Sequence, residues 1–181
     1  MLLALVLLAC AGEAELSDTT RVVPPHSDRL APSVFSELSA DVRRSLEQRG
    51  CTIPQSYPDS TPHNVVRGKF MSADQVDLAV LCLKDSTSSI LVYRNAKADS
   101  VIELAPVSHS RMELTSAGDV FTFSRAVGVA DSIFIQTRFE RYGGPKPPIL
   151  EHEGINDILV GKASVVWYWY GGRWLQLQGS D

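Results

Sequence analysis

Near the C-terminus, Glu151-His152-Glu153-Gly154-Ile155-Asn156-Asp157 holds the densest group of side chains able to ligate a metal or move a proton. Histidine and carboxylates are the usual actors in acid–base catalysis, so a hydrolase would draw on Glu151, His152 and Asp157. In a strand, however, His152 points away from Glu151 and Glu153. A solvated turn following the Pro-rich stretch is the plainer expectation. Ser108-His109-Ser110 lacks the glycines that would form a nucleophile elbow. His26 and His63 stand alone in the sequence. No glycine loop for phosphates and no dinucleotide fingerprint is present. The three cysteines are far apart, with neither the close spacing that activates a thiol nor the ligand spacing of zinc. The expectation is no catalytic set, no metal site and no cofactor.

The elements that must position these residues follow from periodicity. Phe35, Leu38, Val42 and Leu46 recur at i, i+3, i+7 and i+11, one apolar stripe of a helix. Ser33 or Ser36 is placed to cap its start, Arg43, Arg44 and Arg49 favour its C-terminal end, and Gly50 can stop it. From residue 65 the pattern turns to strands: 65–70, 76–83, 89–94, 101–104, 120–124 and 132–139. Residues 76–83 are apolar on both faces except for Asp77, as expected of a central, covered strand. Residues 143–148 (GGPKPP) predict an irregular loop.

Residues 164–170 and 173–178 flank Gly171-Gly172, so they predict a hairpin with a two-residue turn. That register sets Trp169 opposite Trp174 and Tyr168 opposite Leu175. One face then carries Trp167, Trp169 and Trp174, the other Tyr168, Tyr170 and Leu175. Both faces cannot be ordinary surface without a large apolar patch. One belongs to the core, and the other is either covered by the helix or binds a glycan or a partner protein. The fold class predicted is α+β: a mostly antiparallel sheet, one packed N-terminal amphipathic helix and a C-terminal Gly-Gly hairpin.

The chain has 181 residues, 44% hydrophobic and 21% charged, enough for one domain with a real core. A net charge of −4 gives no electrostatic case for nucleic acid or for an anionic membrane surface. Residues 1–9 form an unbroken apolar run, too short to span a bilayer but suited to a secretory signal. Leu7-Leu8-Ala9-Cys10 resembles the lipobox of bacterial lipoproteins. The resemblance implies removal of residues 1–9, lipidation of Cys10 as the mature N-terminus and, with Ala11 next, sorting to the outer membrane. Cleavage at Ala11 or Ala14 would instead yield a soluble secreted protein, and an N-terminal strand or helix of the fold is the remaining alternative. With Cys10 so used, Cys51 and Cys82 become the natural pair for one disulfide in an oxidising compartment. Two separate buried thiols are the competing expectation. Residues 10–32 are polar and Pro-containing, a flexible tether to a domain over 33–181.

Gly68-Lys69-Phe70-Met71-Ser72-Ala73-Asp74-Gln75-Val76-Asp77-Leu78-Ala79-Val80 resembles one FG-GAP or VCBS-type repeat of extracellular β-proteins, over residues 68–83. In that family a G-x-F segment enters an Asp-rich, often calcium-binding loop before a D-L-A-V strand. Asp74 and Asp77 alone remain of the acidic ligands, and calcium needs six to eight oxygens. The resemblance therefore implies a strand-turn-strand hairpin without an ion. The function expected is a non-catalytic lipoprotein of the cell envelope, held to the membrane through Cys10, with a protein or glycan partner. The alternatives are a hydrolase acting through Glu151, His152 and Asp157, or a secreted enzyme inhibitor.

Overall fold

The computed structural model describes residues 29–56, 61–108, 115–117, 120–143 and 146–180; Cys10 and His109 lie outside them. The chain opens with β1 (Arg29–Leu30), a 3-10 turn (Pro32–Val34), α1 (Ala40–Gln48) and β2 (Ile53–Pro54). A meander follows: β3 (Val65–Gly68), β4 (Asp77–Lys84), β5 (Thr87–Tyr93) and β6 (Val101–Ser108). A small hairpin, β7 (Thr115–Ala117) and β8 (Val120–Thr122), leads into β9 (Arg125–Ala130) and α2 (Ser132–Tyr142). The chain ends with β10 (Gly154–Leu159), β11 (Ala163–Tyr170) and β12 (Arg173–Gln178). All the ladders between named strands are antiparallel.

Two four-stranded sheets result, ordered β3-β4-β5-β6 and β12-β11-β10-β9. Alternation along the strands builds three cores between four layers. Leu78, Val80 and Cys82 of β4 face Val42 and Leu46 of α1, whereas Ala79, Leu81 and Leu83 face the second sheet. The second sheet meets them with Val127, Ile155, Trp167 and Trp174. Its opposite face packs Val166, Tyr168 and Leu177 against Ile135 of α2. The order is helix, sheet, sheet, helix. Residues 77–83 form the covered central strand expected of 76–83, all seven buried, whereas Val76 precedes β4 and is exposed.

Three expectations are corrected. Residues 132–139 are helical, so the domain has two helices where one was predicted. Ile133 and Ile135 mimic strand alternation, but Asp131 caps α2 by accepting from the Phe134 amide at 2.6 Å, and Gly143, at φ 74°, ends it. Second, α1 starts at Ala40, capped by Ser39 rather than Ser33 or Ser36. Phe35 and Leu38 join the same core from a 3-10 turn and a bend. Third, β9 and β10 are strands where the sequence pattern predicts none, and Gly154–Leu159 is paired on both sides. Arg29–Leu30, inside the stretch read as tether, pairs with Ile53–Pro54.

The Gly-Gly hairpin has the predicted register, Trp169 opposite Trp174 and Tyr168 opposite Leu175. Gly171 and Gly172 sit at φ 59° and 81°, the left-handed pair a two-residue turn demands. Cys51 and Cys82 form a disulfide, their Cα atoms 5.2 Å apart, tying the exit of α1 to the middle of the first sheet. Among the described residues no helix is long and apolar enough to cross a membrane.

Candidate functional site

The C-terminal carboxylates serve the junction between the sheets. Asp157 lies on the face of β10 turned toward the first sheet, where Arg125 of β9 grips it with Nε and Nη2 at 2.7 and 2.8 Å. Arg125 is 4% exposed. Its Nη1 donates to the Ser88 carbonyl and hydroxyl at 3.0 and 2.9 Å, and its Nη2 also to the Ala105 carbonyl at 3.0 Å. All five guanidinium N–H donors are thus used, which is what a buried cation requires. The Ala105 carbonyl is available because β6 bulges there. The β5–β6 register shifts between Ser88 and Ile90, Ala105 takes φ 49°, and Pro106 brings no N–H to the ladder.

Glu153 is engaged elsewhere. Its Oε2 accepts from the Lys69 amide at 2.7 Å, and its own amide donates to the Lys69 carbonyl at 2.8 Å. Gly68 makes room for this contact: a Cβ there would stand 2.9 Å from Glu153 Oε2 and closer still to the Phe70 ring. His152 Nδ1 lies 3.0 Å from the Glu153 carbonyl, and Glu151 is exposed. Asp157 is three strand residues beyond Gly154, roughly 10 Å away. Glu151, His152 and Asp157 therefore do not converge on one site. Among the described residues no three His, Cys, Asp or Glu side chains group to hold a metal ion.

Asp77 is fully buried in the segment resembling the calcium loop. Its carboxylate accepts from the Met71 and Asn95 amides at 3.0 and 2.9 Å and from Gln75 Nε2 at 2.6 Å. Donors that a cation would displace hold both flanking loops to the start of β4. Asp74 is exposed.

His63, isolated in the sequence, is paired in the fold. Its Nε2 lies 2.8 Å from the Ser56 amide and 2.9 Å from the Ser56 hydroxyl, and its Nδ1 lies 2.9 Å from the Thr61 carbonyl. An amide can only donate, so Nε2 is the acceptor and Nδ1 carries the proton. The Ser56 amide fills the single lone pair that a general base would need. A Ser–His contact of catalytic length is here a loop clasp, with Gln55 bonding both the amide and the carbonyl of His63. Asn64, buried at φ 72°, donates to the Pro54 carbonyl and accepts from the Val127 amide, a second stitch between the sheets.

The aromatic ribbon divides as the hairpin register requires. Trp167 and Trp174 are half-buried against the core between the sheets, and Tyr168 packs toward α2. Trp169 meets Trp174 edge to face at 5.6 Å. Both ribbon faces therefore contribute to cores, and α2, not the N-terminal helix, covers the tyrosine side. Tyr170 is half exposed. Burial pushes the Tyr168 hydroxyl pKa up. The same cause raises that of Tyr93 under α1, opposed by its contact with the Ser45 hydroxyl at 3.4 Å and by nearby Arg49.

Two open cavities remain relevant. One of about 270 Å³ lies over Arg125 and Asp157, walled by Val107, Leu159 and Val165. Another of about 510 Å³ runs between α2 and the loop reaching Leu150. The fold and its polar junctions define a doubly helix-covered antiparallel sandwich in which Asp77, Arg125, Glu153 and Asp157 are committed to structural contacts. No family model, no curated protein and no solved structure matches the chain.

Proposed function

We propose that this protein is a non-catalytic lipoprotein of the bacterial cell envelope, a small binding or structural domain tethered through lipidated Cys10. The observation that carries the reading is the Cys51–Cys82 bridge, because such bonds persist outside reducing compartments. The apolar run over residues 1–9 and the lipobox-like Leu7–Cys10 supply the route and the anchor. The commitment of Asp157 to Arg125 and of Glu153 to Lys69 favours binding over hydrolysis. The partner is a protein or glycan of the envelope. Of Trp167, Trp169 and Trp174, the half-buried pair Trp169 and Trp174 at the hairpin tip offers the ring area for it.

Labelling with radioactive palmitate in a bacterial host, followed by membrane fractionation, tests the anchor. The wild-type chain should carry label and sediment with membranes, and Cys10→Ser should do neither. Equal labelling and sedimentation of both chains would refute the reading. Trp169→Ala tests the hairpin tip. Loss of a captured partner with an unchanged thermal midpoint would support that surface, and undiminished capture would remove it.

A further inference from the structure

The mouth of the sandwich, at the ends of β6, β10 and β11, holds the cavity of about 270 Å³ that is floored by Arg125 and Asp157. The strand register explains why it is open. Asp157 pairs with Val165 and Leu159 with Ala163, so these four side chains share the inner face of the second sheet. At the strand ends that face is left uncovered. Ala163 and Val165 are exposed, whereas Ser164 and Val166, which turn toward the α2 side, are buried. Val107 of β6 supplies the wall from the opposite sheet.

The charged floor offers one kind of free valence. Arg125 has spent all its N–H donors on Asp157, Ser88 and Ala105. A carboxylate has about four lone-pair sites, and Arg125 fills one on each oxygen of Asp157. Asp157, its side chain 14% exposed, can therefore still accept. The ion pair is neutral as a unit, so a charged ligand gains little net attraction there and loses its hydration. Val107, Leu159 and Val165 make the walls apolar. The occupant that fits is a hydrocarbon body with one neutral hydrogen-bond donor. Size narrows it further: a cavity of about 150 Å³ already holds benzene, and drug-sized ligands need about 300 Å³ or more.

We propose that this cavity binds a small neutral alcohol, its hydroxyl donating to the Asp157 carboxylate and its hydrocarbon part lying against Val107, Leu159 and Val165. Burial of the hydrocarbon supplies the affinity, and the charge-assisted bond to Asp157 fixes the orientation. Arg125 holds the carboxylate in place and touches the ligand with no free donor. The site is separate from the hairpin tip and needs no lipid anchor, so it stands or falls apart from the reading above.

The test is a methyl NMR titration of the full chain, with the Cys51–Cys82 bridge oxidised. On adding hexanol, the methyl signals of Val107, Leu159 and Val165 should move together and saturate with a Kd on the order of 1 mM, while those of Leu91 and Ile149 stay in place. Methyl pentyl ether, an isomer without the donor, should bind about fivefold more weakly. Hexanoate and hexylammonium should also bind more weakly than hexanol, since each brings a charge into an apolar cleft over a neutral pair. Val165→Trp and Ala163→Phe enlarge exposed side chains at the mouth, and each should weaken hexanol about tenfold with an unchanged thermal midpoint. The second variant decides the matter if the first fails to fold. Absent or scattered shifts, equal binding of the ether, stronger binding of either ion, or undiminished binding by the folded variants would overturn the proposal.

Discussion

The two sheets bury their outer faces under one helix each, by different means. Under α1 the first sheet is nearly saturated with apolar side chains, and the disulfide fixes the helix exit to β4. Under α2 the second sheet has a smaller core and many half-buried strand residues, and it relies on a capped helix and long-range polar stitches. The covalent bond thus sits in the better-packed half. Besides the apolar core between the sheets, the more open half is held to it by Arg125 and Asn64, whose hydrogen bonds cross between sheets. A surface meant to meet a partner is better placed on the half that packing commits less.

The largest effect should come from breaking the junction. Arg125→Ala leaves Asp157, its side chain 14% exposed, without its cation and removes the donors that Arg125 supplies to Ser88 and Ala105. A loss of about 3–5 kcal/mol is expected from urea unfolding. Arg125→Met combined with Asp157→Leu should recover most of it, since removing both members leaves no orphaned charge. If the double variant were as unstable as Arg125→Ala, the junction would depend on more than charge compensation.

Reducing the Cys51–Cys82 bridge should cost about 3–4 kcal/mol, because it frees a loop of about 32 residues. Hydrogen exchange should locate the change in α1 and β4, leaving β10 and β11 protected. Uniform loss across both sheets would dissolve the contrast between the halves. Asn64→Ala should cost about 1–3 kcal/mol by stranding the Val127 amide and the Pro54 carbonyl. It should loosen β9 before the first sheet.

The smallest effect concerns pH. Burial raises the Tyr93 pKa above its ordinary value, so folding favours the neutral phenol. The resulting stability is complete below the unfolded pKa of about 10 and is lost as pH rises toward and through the folded value. Tyr93→Phe should change the urea midpoint little at neutral pH and flatten its decline above pH 10. An unchanged slope there would assign the decline to other groups.

The first sheet was the more legible half, for a physical reason. Its strands are apolar enough for periodicity to be read directly, and the run from Asp77 to Leu83 announces a central strand. The hairpin around Gly171-Gly172 was equally clear, because turn chemistry and strand pattern agree there. Gly154–Leu159 was obscured because Asn156 and Asp157 interrupt its apolar pattern. Asp157 is tolerated inside only because Arg125 reaches it from 32 positions earlier. Residues 132–139 misled through Ile133, whose exposure breaks the alternation it suggests; Asp131 and Gly143 were the helix signals overlooked. His63 and Ser56 meet through a loop closure that no spacing rule reveals. The site was least legible for the same reason: Glu151, His152 and Asp157 are neighbours in sequence that the fold does not bring together.

The central claim is an oxidised envelope domain anchored at Cys10, and the most direct measurement is an intact mass from a bacterial host. It should be taken before and after reduction, each time with thiol alkylation. The account predicts a chain beginning at Cys10 with added acyl mass, and two alkylated thiols that appear only after reduction. A chain beginning at Met1 with three thiols alkylated before any reductant would contradict it.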